Sequence, residues 1–280
     1  MKAPAKPAAR FTVRRYLRRP HLLYETTLAH HLVSVAVAIV LCVVIVVLGV
    51  HFANPKNIFD INKISFRDVL TASANTFYRM LLAYLLAVVA AIPLAMVIGI
   101  SAKVQRLLLP IADILQSVPV LAFFPVVVVF FTAYHAFELA AVFVIFVSML
   151  WNIVFTVIGG LQTIPDDIKS AAIVFNVTGL EKFWYITLPA VVPFVVTGSL
   201  LAWAQGWTVV IVAEVLHTYI PHGTLSQDLL GLGSLMVDSN AGGQTSVFVA
   251  TLVAMILLVT VMNLAVWQPL LRFSQRFRFD

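Results

Sequence analysis

Residues 162–189 read QTIPDDIKSAAIVFNVTGLEKFWYITLP. This polar, charge-bearing loop lies between two long apolar runs, 137–161 and 188–216. Crossing roughly 30 Å of hydrocarbon takes about 20 apolar residues, and both runs exceed that. They predict two membrane-spanning helices joined by a loop on one side. Working outward, four more such runs predict spans at about 32–53, 72–99, 107–131 and 246–268. The expected fold class is an all-α membrane protein of about six transmembrane helices. Composition points the same way: hydrophobic residues make up 61% of the 280, charged residues 11%, and the mean hydropathy is +1.01. A soluble domain carries about 25% charge. The runs are continuous rather than alternating, which excludes a β-barrel.

Basic residues predict the orientation, because cytoplasmic segments are enriched in Lys and Arg. Lys2, Lys6, Arg10, Arg14, Arg15, Arg18 and Arg19 lie in residues 1–31, a basic cytoplasmic tail. With that tail inside, the 162–187 loop and the C-terminal tail 269–280 are also cytoplasmic, and 32–268 is one transmembrane domain. Lys103, Arg106, Lys169, Lys182, Arg272, Arg276 and Arg278 then join the same side. Only Lys56, Lys63 and Arg67 fall opposite. The first run is too long for a signal-peptide core, and His51-Phe52-Ala53 offers no good cleavage site; it reads as a retained helix. No internal repeat of the kind that builds secondary transporters is visible.

Within the loop, Pro165 suits a first helical position, where a missing N–H costs nothing. Asp166 and Asp167 face the positive end of the helix dipole. A helix is expected over about Pro165–Phe175. Asn176 then turns the chain, since asparagine tolerates the left-handed conformation. Thr178-Gly179-Leu180-Glu181 reads as a capping box opening a second short helix, Gly179 to about Leu188, near Pro189. Ala171 and Ala172 would give this protrusion a small-residue surface for close approach by a partner, with Phe183 and Trp184 anchoring it to the helix ends. On the residues alone, an interfacial helix pair held to the bilayer by Trp184 and Tyr185 fits equally well.

Polar groups inside a membrane are costly and mark function by default. Arg79, Asp113, Gln116, Asn152, Gln205 and Glu214 are such groups. Asp113 lies close enough to the cytoplasmic side to be solvated. Asn152 and Gln205 can also be interhelical hydrogen-bonding glue. Glu214 and Arg79 share one half of the membrane, so their pairing is an open expectation. Pro93, Pro119 and Pro125 interrupt spans, and the Gln116–Pro125 segment is expected to line a path or gate. Candidate path residues are Gln116, Ser117, Pro119, Asn152, Gln205, Trp207 and Glu214. Gly159-Gly160 reads as close packing, and Leu225–Leu232 as a short interfacial helix.

Catalysis finds little support. The seven histidines are scattered without H-E-x-x-H or comparable ligand spacing. The single Cys42 in an apolar run reads as filler. No phosphate-binding G-x-x-x-x-G-K-[ST] loop is present. The +6 charge sits in membrane-flanking segments without an aromatic-basic face, so no nucleic-acid partner is expected. An ion-coupled secondary carrier or channel is the alternative class.

Ser170–Pro189 resembles the cytoplasmic coupling loop of the permease subunit of binding-protein-dependent ABC transporters. In that family the loop reads roughly E-A-A, three residues, G, then a hydrophobic position and L-P. Ala171 and Ala172 hold the alanine positions, and Phe183, Trp184, Ile186, Leu188 and Pro189 fall at the family spacing. Ser170 stands in place of the Glu, offering a hydroxyl where the family has a carboxylate, and Asn176 in place of the first Gly. Ala72–Val104 resembles the first core helix of the nitrate, sulfonate, taurine and bicarbonate branch. Gln116-Ser117-Val118-Pro119 resembles that branch's R-S-I-P, and Ala202–Val215, with Trp207 and Glu214, its late A-W…A-E helix. Together these cover about 70–280. The resemblance implies a type I ABC importer-like (MetI-like) permease fold in a bacterial or archaeal inner membrane. It implies coupling through Ser170, Ala171, Ala172, Asn176, Thr178, Gly179, Glu181 and Pro189. The implied partners are ABC ATPase subunits, a second permease copy (homo- or heterodimer), an extracytoplasmic solute-binding protein and the lipid bilayer. No cofactor is expected in this chain; ATP and Mg would sit on the ATPase. A small anion such as a sulfonate, nitrate or bicarbonate is the implied solute.

Overall fold

The computed structural model describes Val33, residues 35–45, Val47, 66–99, 101–220 and 222–277. All regular structure among these residues is helical. In chain order the helices are α1 (Val35–Ile45), α2 (Phe66–Gly99), α3 (Ala102–Ser117), α4 (Val120–Thr132), α5 (Phe137–Gln162), α6 (Asp166–Val174), α7 (Gly179–Ala213), α8 (Leu232–Ala241) and α9 (Thr245–Phe277). By length and composition α2, α5, α7 and α9 can each cross a membrane, and the bent pair α3–α4 makes a fifth candidate. α1 is the described part of the expected 32–53 span. The limits of that span, the basic tail, Lys56, Lys63 and Arg278 lie outside the described residues.

The expected third span, 107–131, is not one rod. α3 and α4 meet at 80° across Val118-Pro119. Proline disfavours the helical region for the preceding residue, and Val118 is extended at φ −72°, ψ 120°. Pro93 and Pro125, expected to interrupt spans, lie inside continuous helices. The helix after the loop also differs from expectation. Instead of a short helix ending near Leu188, α7 runs unbroken for 35 residues. A π turn over Phe183–Thr187, where the Leu188 N–H donates to Phe183 O, widens the helix just before Pro189. The widened turn accommodates a residue that has no N–H to give. α9 repeats the arrangement, with a π turn over Asn263–Trp267 preceding Gln268-Pro269.

α5 is the central helix, packed most extensively on α7 and next on α2. α2 presents a buried seam, Ala83, Ala87, Ala91 and Ala95, spaced four residues apart. Small side chains let membrane helices approach closely, which supplies packing where water cannot drive association. The α5–α7 contact uses glycines in the same way. A side chain at Gly160 would strike Phe194, and one at Gly198 would meet Thr156 and the Ile153 backbone. The close-packing expectation thus holds at Gly160, whereas Gly159 faces open space. Trp203 and Trp267 stack edge-on against Tyr84, each with ring centroids 5.8 Å away, and tie α7 and α9 to α2.

Candidate functional site

Three features stand out along this bundle: a protrusion at one end, a polar pocket at the helix break, and an ion network at the other end. The protrusion is α6 and the first turns of α7. Its hinge is a Schellman turn: the Val177 N–H donates to Ala172 O at 2.8 Å, the Asn176 N–H donates to Ile173 O at 3.1 Å, and Asn176 is left-handed at φ 53°. The expected turn at Asn176 is therefore present. The capping box is not: Thr178 precedes the helix without a side-chain cap, and Gly179 takes φ 56°. That left-handed first residue changes the entry of the chain from the one a capping box requires. Pro165 caps α6 from just outside, not from its first position, and Asp166 and Asp167 occupy the first turn.

The two alanines separate. Ala171 is exposed, whereas Ala172 is 4% exposed and lines a cleft of about 380 Å³ with Met96, Gly99, Leu161 and Phe183. Adjacent residues on a helix point about 100° apart, so Ala172 can face the bundle while Ala171 beside it faces outward. Ser170, Thr178, Gly179 and Glu181 are exposed, and Pro189 is half-buried at the junction with the bundle. Sequence reasoning missed the outward face itself: Ile173, Val174, Phe175, Leu180 and Tyr185 are each at least 76% exposed. Large apolar side chains exposed on a polar loop mark an interaction surface. The signal was legible as the apolar triplet 173–175, which a short amphipathic helix lying flat would not place here.

At the α3–α4 break, Gln116, Ser148, Trp151, Asn152 and Gln205 line a pocket of about 240 Å³ with Pro119 and Val120. Four of the expected path residues thus come to one place: Gln116, Asn152 and Gln205 from three separate helices and Pro119 from the break. Asn152 also donates back to Ser148 O at 3.3 Å. Ser117 lies beside the pocket and donates to Asp113 O at 2.7 Å, closing the last turn of α3. Asp113 is exposed. Trp207 stands apart: it is buried against an apolar cleft of about 630 Å³ between α1, α7 and α9. Two residues along a helix turn about 200°, which places Trp207 nearly opposite Gln205.

Glu214 stands apart from the pocket as well, in a buried network at the other end. Arg79 Nη1 donates to Glu214 Oε1 at 2.8 Å and to Leu230 O at 3.1 Å. Its Nε and Nη2 donate to the two oxygens of Glu138 at 2.6 and 2.8 Å. Thr76 Oγ1 donates to Glu214 Oε1 at 2.7 Å and accepts from the Leu232 N–H at 2.9 Å. The Gly233 N–H donates to Glu214 Oε2 at 2.7 Å. Glu214 therefore caps the N-terminus of α8, where the dipole favours a carboxylate. A side chain at Gly231 would collide with that carboxylate, so the 228–233 turn approaches it only as glycine. The open question of an Arg79–Glu214 pair is answered, and Glu138 is a third member that the sequence reading overlooked. Its signal was a lone carboxylate at the start of a span, in the same half as Arg79.

The segment after α7 is held as a cap. The expected helix over Leu225–Leu232 is instead a 3₁₀ turn, Leu225–Gln227, followed by α8 starting at Leu232. Glu214 and Thr76 satisfy the first amides of α8, which sets its start. The His217 N–H donates to Asp228 Oδ1 at 2.8 Å, and the ring Nδ1 lies 2.6 Å from Oδ2. Burial, together with the Asp228 carboxylate, raises the Asp238 carboxyl above its ordinary range, and His217 opposes that. No group of three or more His, Cys, Asp or Glu among the described residues is placed to hold a metal.

Residues 83–267 match the family model described as binding-protein-dependent transport system inner membrane component. The chain is similar to the nitrate import permease protein NrtB of Leptolyngbya laminosa, 34% identical over 58% of this chain and 57% of that one. It is similar to the bicarbonate transport system permease protein CmpB of Synechococcus elongatus, 27% identical over 51% and 50%. It is also similar to the taurine transport system permease protein TauC of Escherichia coli, 25% identical over 51% of each. The match spans about half the length of these relatives.

Proposed function

We propose that this chain, which belongs to the family of binding-protein-dependent transport system inner membrane components, is the membrane-spanning permease of an ATP-driven ABC importer for a small solute bearing an oxyanion group. The observation that carries the reading is the exposed apolar face of the protrusion, Ile173, Val174, Phe175, Leu180 and Tyr185. Such a surface on a loop rich in polar residues needs a partner, and in an importer that partner is a separate ATPase, with ATP and Mg on its side. Permease subunits of this kind are not themselves catalysts. Both termini and the protrusion would be cytoplasmic, in line with the basic residues gathered there. The relatives that carry nitrate, bicarbonate and taurine in their names support the oxyanion class. Six spans in a type I importer arrangement, with a second permease copy and a solute-binding protein docked on the side opposite the ATPase, complete the proposed assembly.

The geometry suits transmission. α7 continues from the protrusion into the core without a break, so displacement at Gly179 travels along a stiff rod. Gln205 lies about 39 Å further along it, at 1.5 Å per residue. The polar pocket there is lined by amides and carries no formal charge, so it can replace part of a solute's hydration without trapping it. ATP binding would shift the population between arrangements open to either side. Ser170 keeps a hydrogen-bonding group where the family carries a carboxylate, so docking would rest on apolar contact.

Cysteine cross-linking in the complex with the cognate ATPase tests this. Ala171→Cys is expected to form nucleotide-dependent cross-links to single cysteines beside the ATPase site, and Ala172→Cys is expected to form none. Absence of cross-links at Ala171, Val174 and Phe175 in an intact complex would overturn the docking assignment. ATP-driven uptake of nitrate, bicarbonate or taurine by the reconstituted complex and its binding protein tests the importer reading.

A further inference from the structure

Among the described residues, Arg79 is the only Lys or Arg inside the body of a membrane-spanning helix; the others sit at helix ends or on the protrusion. Its two sides are bound very differently. The Nη1 side is fixed, because Glu214 is 0% exposed and also accepts from Thr76 and Gly233. The Nε–Nη2 side is a planar fork filled by both oxygens of Glu138, which is 59% exposed. Glu138 is thus an exposed carboxylate resting on a buried cation.

We propose that the Nε–Nη2 fork of Arg79 is an entry site for the oxyanion group of the solute, held at rest by Glu138 as an internal stand-in. The fork is built for two parallel N–H···O bonds to a planar pair of oxygens. A carboxylate presents such a pair, and so does nitrate, bicarbonate or a sulfonate. Exchanging one monovalent oxyanion for another leaves the charge around Arg79 unchanged, so the swap avoids the cost of a bare buried cation. Glu138 can leave because it is exposed; Glu214 cannot, because its release would orphan the Thr76 hydroxyl and the Gly233 amide at the start of α8. Asn152 of the polar pocket lies nearly four turns further along α5, roughly 21 Å from Glu138 and on about the same helix face.

This inference rests on the permease reading but is tested separately from it. The permease–ATPase complex in nanodiscs, without binding protein, is titrated with sodium nitrate and, at equal ionic strength, sodium chloride, while thermal unfolding is followed. Glu138→Gln vacates the fork's charged occupant at an exposed position. It is expected to gain a nitrate-dependent rise in Tm that chloride does not give, at a half-saturating concentration at least tenfold below that of the unaltered protein. Glu138→Ala should behave alike. Adding Arg79→Lys to Glu138→Gln keeps the charge but removes the fork, and the nitrate preference over chloride should vanish. A folded Glu138→Gln or Glu138→Ala complex without any nitrate preference overturns the proposal, as does a preference that survives Arg79→Lys. A wholly structural ion pair would give destabilisation by Glu138→Gln with equal response to both salts. ATP-driven uptake by the unaltered complex fails only if the permease reading fails.

Discussion

Glu214 collects its partners from α2, through Thr76 and Arg79, and from the Gly233 amide of α8, so its loss strands several groups at once. Breaking a buried pair by removing one member costs about 3–5 kcal/mol. Glu214→Leu should therefore lower the unfolding temperature sharply, and Gly231→Ala should do so too by driving a methyl group into the carboxylate. Thermal unfolding in detergent checks both. Asp238 behaves in the opposite sense. Its folded carboxyl is raised, so the folded state favours the protonated form. The associated stabilisation is present below about pH 4, the ordinary carboxylate value, and is lost as pH rises through the raised folded value. Asp238→Asn should raise the unfolding temperature at pH 7 and lose that advantage below about pH 4. These side chains show where the sequence was readable and where it was not. Arg79 and Glu214 stood out because charge in an apolar span is costly. Glu138 did not, because a carboxylate at a span's edge has the innocuous reading of a solvated helix end.

At the scale of elements, helix identity followed from apolar length, but helix continuity did not. Pro119 breaks its span, with Val118 extended, while Pro93 and Pro125 lie inside continuous helices. The π turns before Pro189 and Pro269 are local solutions that periodicity cannot announce. α5 and α7 are pressed together at Gly198, where an added side chain meets the Ile153 backbone. Gly198→Val should destabilise by about 1–3 kcal/mol, the usual cost of overpacking, read as a drop in unfolding temperature. On the protrusion, Phe175→Ser removes an exposed ring. Stability should stay within about 0.5 kcal/mol, while ATPase association measured by co-purification should fall severalfold.

At the scale of the molecule, the described bundle leaves the Gln116 and Gln205 side chains exposed at the α3–α4 break. Polar side chains are costly against lipid, which is what the labelling of this side tests. Gln205→Cys should react with a water-soluble thiol reagent in at least one nucleotide state; mass spectrometry after labelling gives the answer. The sequence by itself determined that the chain is helical and membrane-spanning, and placed a polar loop with a left-handed turn at Asn176. Each of these follows from local quantities: apolar length and the backbone freedom of single residues. Only the tertiary structure decided that Gln116, Asn152 and Gln205 share one pocket, that Ala172 turns inward while Ile173, Val174 and Phe175 turn out, and that Arg79 bridges two carboxylates. Those facts depend on the rotation of each helix about its axis. That rotation is fixed by small-residue seams and glycine contacts between elements distant in the chain, and so is not written in any one stretch of it.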